Sequence, residues 1–85
     1  MEKPLIVTAH AWIKLRERNI DREWHDQTIY HPDWVASDPR GQGIERRYRA
    51  IPAFRGRVLR VVCVETDSNI RVISVLFDRN ARAPS

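Results

Sequence analysis

Two hydrophobic periods run along this chain, a helical one first and a strand-like one after it. At about 100° per residue, Ala9, Ala11, Trp12, Ile13 and Leu15 fall on one broad arc, and His10, Lys14, Glu17 and Arg18 on the other. The spacing predicts an amphipathic helix over 9–18 whose polar face carries His10 and Arg18 about two turns apart. Asn19 suits the left-handed position just past a helix end, and Ile20 supplies the hydrophobic contact that follows such a stop. Asp21 is placed to cap a second helix over 22–31, with Glu23 favourable in its first turn and Pro32 ending it. Ile20, Trp24 and Thr28 mark its buried side.

From residue 33 the period is two. The segment 33–37 predicts a short edge strand and 38–43 a loop. Over 44–51, Ile44, Arg46, Tyr48 and Ala50 face one way, and Glu45, Arg47, Arg49 and Ile51 the other. A turn at 52–56 leads to the most apolar strand, 57–65, expected to be central and buried on both faces for much of its length. A tight turn at 66–69 precedes the last strand, 70–77. With Asp67 and Ser68 at the turn centre, Val64 pairs with Arg71, Val62 with Ile73 and Arg60 with Val75, a register that a one-residue slip would overturn. "LIVT" at 5–8 fits either a short first strand or an extended lead-in to the helix. The expected fold is α+β: two N-terminal helices packed on one face of a three- to four-stranded antiparallel sheet. One domain spans 1–80, and 81–85 form a flexible tail. Trp12, Trp24 and Trp34 are expected at helix–sheet contacts.

Composition narrows the function classes. The 85 residues allow one small core, so a site is expected on a shallow surface rather than in a closed cleft. The chain carries a net charge of +4, with 13 arginines and 2 lysines. Arginine's planar fork matches phosphate and stacks on bases, so the balance points to a polyanion: RNA, DNA or an acidic protein. Arginine-rich codon usage would account for the ratio but not for the net charge. The lone Cys63 forms no intramolecular disulfide and lies in an apolar run, which fits a buried thiol and a reducing cytoplasm. No stretch is apolar enough for a signal peptide or a membrane span. His10, His25, His31 and Cys63 are too scattered for zinc-ligand spacing, and no glycine-rich phosphate loop or Ser/His/Asp signature occurs. Neither a metal nor a cofactor is expected.

"HAWIKLRERNID" is similar to the His-Ala…Arg-Glu-Arg-Gly-Ile opening of domain-of-unknown-function family 4258. "HPDWV" resembles that family's Pro-Asp corner, and "RYRAIPAFRGRVLRVV" and "IRVISVLFDR" resemble its strands. The resemblance spans about residues 8–80. Asn19 stands where the family commonly has glycine, and both residues tolerate the left-handed backbone. The family is usually placed near the RelE-like and BrnT-like toxins. The resemblance therefore implies the toxin component of a type II toxin–antitoxin system, acting as a metal-independent endoribonuclease. Its implied partners are a cognate antitoxin and RNA, including ribosome-associated messenger RNA. The alternative is a non-catalytic binding module of RelE-like fold that holds nucleic acid or an acidic protein.

Metal-free cleavage of RNA uses the 2′-hydroxyl as nucleophile. A base takes its proton, cations stabilise the phosphorane, and an acid protonates the leaving oxygen. The candidate catalytic set is His10, Arg18, Arg49 and Arg60; His10 and Arg18 match family positions. Lys14, Arg46, Arg47, Tyr48 and Arg79 are the candidate RNA contacts, with "RRYR" at 46–49 offering an aromatic inside a basic strip. Each has a plain structural alternative. His10 would cap its helix or bond a strand; Arg18 would pair with Glu17 or Glu23 or bind helix-end carbonyls. The strip would be a solvated face, and Arg60 a side chain reaching for water. Arg79, with Arg82, would belong to a frayed tail.

Overall fold

Thr8 starts the helical part of the chain. The computed structural model describes residues 2–84; Met1 and Ser85, the outer ends of the expected domain and tail, lie outside the described residues. The Thr8 hydroxyl accepts from the Ala11 amide at 3.3 Å and caps α1 (Ala9–Glu17), so His10 does not cap it. Arg18 closes α1, and Asn19 takes a left-handed φ of 51°. The Ile20 amide donates to the Leu15 carbonyl and the Asn19 amide to that of Arg16, the paired bonds of a Schellman stop. Asp21 caps α2 (Arg22–Tyr30) by accepting from the Glu23 amide at 2.8 Å.

The strands are β1 (Leu5–Val7), β2 (Trp34–Ser37), β3 (Ile44–Ile51), β4 (Arg57–Glu65) and β5 (Ile70–Phe77), with a short 3-10 helix (Pro52–Phe54) between β3 and β4. They form one five-stranded sheet in the order β1-β5-β4-β3-β2. This corrects the expected three- to four-stranded antiparallel sheet: the sheet is mixed, because β1 pairs parallel to β5 through Leu5–Ile70, Ile6–Arg71 and Val7–Val72. Three residues are too few to announce a strand by alternation, and the partner lies more than sixty residues away, so nothing local announces the pairing. The α+β class itself stands.

The Val64–Arg71 pair forms as expected, but Val62 pairs with Ser74 and Arg60 with Leu76, not with Ile73 and Val75. Ile73 is an extra residue in β5 opposite the Val62–Cys63 step, a β-bulge that resets the alternation. Val72 and Val75, three apart, therefore both face the helices and are both fully buried.

Both helices lie on one face, α1 over β5 and α2 over β3 and β4. The core joins Ala11, Leu15, Ile20 and Ile29 to Ile51, Leu59, Val61, Cys63, Ile70, Val72 and Val75. The α1 contribution is narrower than its arc suggested. Only Ala11 and Leu15 are buried, whereas Trp12 and Ile13 are 46% and 53% exposed. Trp12 is covered instead by the Arg22 guanidinium, 5.1 Å from its ring centroid. Among the described residues, no helix is long and apolar enough to cross a membrane.

Two ion-pair clusters lie at one end of the sheet, one on each face. Arg47, buried against the helices, donates to the Ile29 carbonyl at 2.9 Å and to Glu45 and Glu65 at 2.9 and 2.7 Å. Hydrogen bonds from Lys3 and then Arg47 hold the Glu65 carboxyl down to about 2. At the same end but on the opposite face, the buried Asp38 accepts from the Arg40 amide and from the Arg40 and Arg46 guanidinium groups. Burial pushes the Asp38 pKa up, but those hydrogen bonds outweigh it and hold the carboxyl at about 2.

Arg47→Met removes the donor of a buried carbonyl and two carboxylates while keeping side-chain length. It is expected to lower unfolding free energy by about 2 kcal/mol in denaturant titration; a loss under about 0.5 kcal/mol would mean the network is not holding α2 to the sheet. A carboxyl whose folded-state pKa is depressed adds stability that is complete above its unfolded pKa of 3.8 and fades as pH falls towards about 2. Asp38→Asn should therefore destabilise at neutral pH by about 1 kcal/mol, discounted because Arg40 is half exposed. The gap to wild type should close between pH of about 4 and about 2, and a constant gap there contradicts the assignment.

Candidate nucleic-acid interface

The four residues of "RRYR" serve two faces of the sheet. Arg47 and Arg49 point to the helix side, where Arg47 is enclosed as above and Arg49 donates to the His31 carbonyl at 2.6 Å. Arg46 and Tyr48 lie on the open side. There Arg46 meets Asp38 at 2.9 Å, and Tyr48 stacks on Trp34 with ring centroids 4.8 Å apart and planes 10° off parallel. The strip expected from sequence is therefore divided, because a strand sends successive side chains to opposite faces. Trp34 correspondingly packs on the open face rather than at a helix–sheet contact. Trp24 does lie at the helix–sheet contact, against Phe54 and Phe77.

A different set of arginines gathers at the end of the sheet where β4 begins and β5 ends. Arg18, Arg55, Arg57 and Arg79 line one groove of about 670 Å³, with Asp78 in its wall. Each is positioned by a separate local device. Arg18, at the α1 C-terminus, donates to the Val75 carbonyl of β5 at 2.6 Å and is so held over the groove. Arg55 follows the 3-10 helix with φ 59°, and Gly56 continues at φ 72°, a left-handed pair that turns the chain into β4. Arg57 lies over the Phe54 ring at 5.0 Å, and Phe54 is itself packed on Trp24 and Phe77. Arg79 leaves the end of β5. Among the described residues, no carboxylate lies within 4.0 Å of these four guanidinium groups. Asp78 is already taken: it pairs with Arg60 at 3.1 Å and accepts from the Asn80 amide at 2.9 Å. The groove thus presents four uncompensated cations at an exposed rim, an arrangement suited to a chain of phosphates.

Of the residues expected from sequence, the structure brings Arg18 and Arg79 into this groove and ties Arg60 to its wall through Asp78. Arg46, Tyr48 and Arg60 line a second groove on the open face. Lys14 pairs with Glu17 at 3.1 Å. His10 is exposed in the first turn of α1, about 12 Å of helix rise from Arg18, and lines neither groove. Arg55 and Arg57 were missed; two arginines flanking a glycine in the turn at 52–56 were the available signal.

Two nucleophilic or titratable groups are set aside by burial. It pushes the Cys63 thiol up to about 11, leaving it protonated and unreactive at neutral pH. It also lowers the pKa of His25, against an opposing hydrogen bond to Asp26 at 2.7 Å. Among the described residues, no group of three His, Cys, Asp or Glu side chains is placed to hold a metal ion.

Neither the curated proteins nor the solved structures contain a match to this chain. Residues 7–77 match a family model described as "Domain of unknown function (DUF4258)", a span that runs from β1 to the last residue of β5. The helix stop at Asn19, the cap at Asp21 and the sheet that carries the groove all lie within that span, and the chain belongs to the DUF4258 family.

Proposed function

We propose that this domain binds the phosphodiester backbone of single-stranded RNA in the groove of Arg18, Arg55, Arg57 and Arg79. The observation that carries the reading is the absence, among the described residues, of any carboxylate paired with those four arginines, while Arg40, Arg46, Arg47 and Arg60 are all matched to acids. Arg16, Arg71 and Arg82 also lack an acid partner among the described residues, but they stand apart, whereas these four line one groove, which fits a polyanion supplied from outside. The usual placement of the family near RelE-like toxins supports RNA over DNA and supports messenger RNA as the target. It also supports an antitoxin as the partner, which here would be an acidic segment covering the same groove.

The endoribonuclease reading is the second one, and the clustering of guanidinium groups favours it, since these would stabilise charge on a phosphorane. Proton transfer is its weak point. Among the described residues the groove's only carboxylate is Asp78, which is engaged by Arg60, and His10 lies outside the groove. Binding therefore stands ahead of cleavage.

The test is fluorescence anisotropy with a short labelled single-stranded RNA across a salt series, with the RNA afterwards run on a denaturing gel. Four phosphate contacts predict a slope of log affinity on log salt of about −3. Arg55→Gly combined with Arg57→Gln should weaken binding by roughly tenfold or more and flatten that slope, with little change in melting temperature because glycine relieves the left-handed backbone at 55. Salt-independent binding, or binding unchanged in the double variant, removes the groove from consideration. Shortened RNA that Arg18→Ala keeps intact would raise cleavage to the leading reading.

A further inference from the structure

We infer that the open face of the sheet, beside the arginine groove, holds a nucleobase of the same single-stranded RNA, stacked on the Trp34–Tyr48 pair. The inference rests on the reading of the arginine groove as a backbone site and adds a second, chemically different subsite to it.

The second groove, of about 550 Å³, is lined by Trp34, Tyr48, Arg46, Arg60, Asp78 and Arg82 among others. Its charge differs from that of the first. Arg46 is matched to Asp38 and Arg60 to Asp78, so two of its three arginines are already neutralised. What remains is an aromatic surface with hydrogen-bond donors around it, which suits a base better than a phosphate.

The registers place Trp34, Tyr48 and Arg60 in one row across β2, β3 and β4. Trp34 and Tyr48 are stacked nearly parallel, and β2 is the sheet's edge, so no further strand continues the row beyond Trp34. A third flat ring can extend such a stack without disturbing it. Arg60, at the inner end of the row, is held by Asp78 and positions the wall between the two grooves.

The two grooves share Asp78 and Ala81 as a common wall. A strand whose phosphates lie along Arg18, Arg55, Arg57 and Arg79 can therefore turn a base over that wall onto Trp34. Only an unpaired base is free to do so, which restricts the ligand to a single strand.

The experiment compares three probes on the intact chain: a short single-stranded RNA, an abasic oligomer of the same length, and inorganic polyphosphate. Stacking of one base is worth about 1–3 kcal/mol, so wild type should prefer RNA to the abasic oligomer by about 5- to 160-fold. Trp34→Ala should abolish that preference and leave the affinities for abasic oligomer and polyphosphate unchanged. Trp34→Phe should retain most of the preference, and Arg57→Gln should weaken all three probes alike. Equal affinity of wild type for RNA and abasic oligomer overturns the base subsite while leaving the backbone site intact, and this comparison needs no variant. A preference that survives Trp34→Ala overturns it too. Failure of all three probes to bind overturns both subsites.

Discussion

The C-terminal carbonyls of α2 need donors that their own helix does not supply, and β3 provides them. Pro32 prevents the chain from continuing the helix, and no glycine follows to close it with a left-handed turn. The Ile29 carbonyl is met by Arg47 and the His31 carbonyl by Arg49, two residues apart on the helix-facing side of one strand. Their positive charge also suits the negative end of the helix dipole. This pairing fixes α2 along β3, and through Glu45 and Glu65 it ties β3 to the end of β4. The position of the 3-10 helix, and of Arg55 and Arg57 after it, follows from that alignment.

The distribution of arginines becomes intelligible from the same starting point. Some close helix ends, some neutralise buried or half-buried acids, and four of the remainder collect where α1, the β3–β4 turn and the end of β5 converge, with Arg16, Arg71 and Arg82 standing apart. Arg18 does neither of the first two; its bond to the Val75 carbonyl of β5 positions the guanidinium that faces the groove. High arginine content is thus only partly a binding signal; much of it replaces capping residues that the sequence lacks.

Much of the fold was legible in short-range chemistry. Thr8, Asn19 and Asp21 act on backbone groups within a few residues of themselves, so the helix ends follow from their side chains. The strand segments of residues 44–77 followed from period-two alternation. The mixed sheet was not legible, because β1 finds its partner at β5 and leaves only three apolar residues as a trace. Nor was the division of "RRYR" into roles. Alternation separated Arg47 and Arg49 from Arg46 and Tyr48, but only the folded chain shows that a helix end waits on one side and Trp34 on the other. The arginine groove was half visible: Arg18 and Arg79 came from the family resemblance, whereas Arg55 and Arg57 sat in a turn whose direction depends on the packing of Phe54.

The bulge at Ile73 has a consequence for how this sequence can change over time. Loss of that one residue would leave Val72 opposite Cys63 and Ser74 opposite Val62, so the ladder would become regular while Val75, Phe77 and Asp78 kept their faces. A residue inserted after Ser74 has no such slack. It would turn Val75 and Phe77 out of the core and take Asp78 from Arg60 and from the wall between the two grooves. Lineages carrying this domain should therefore tolerate a one-residue deletion at the bulge better than an insertion beyond it.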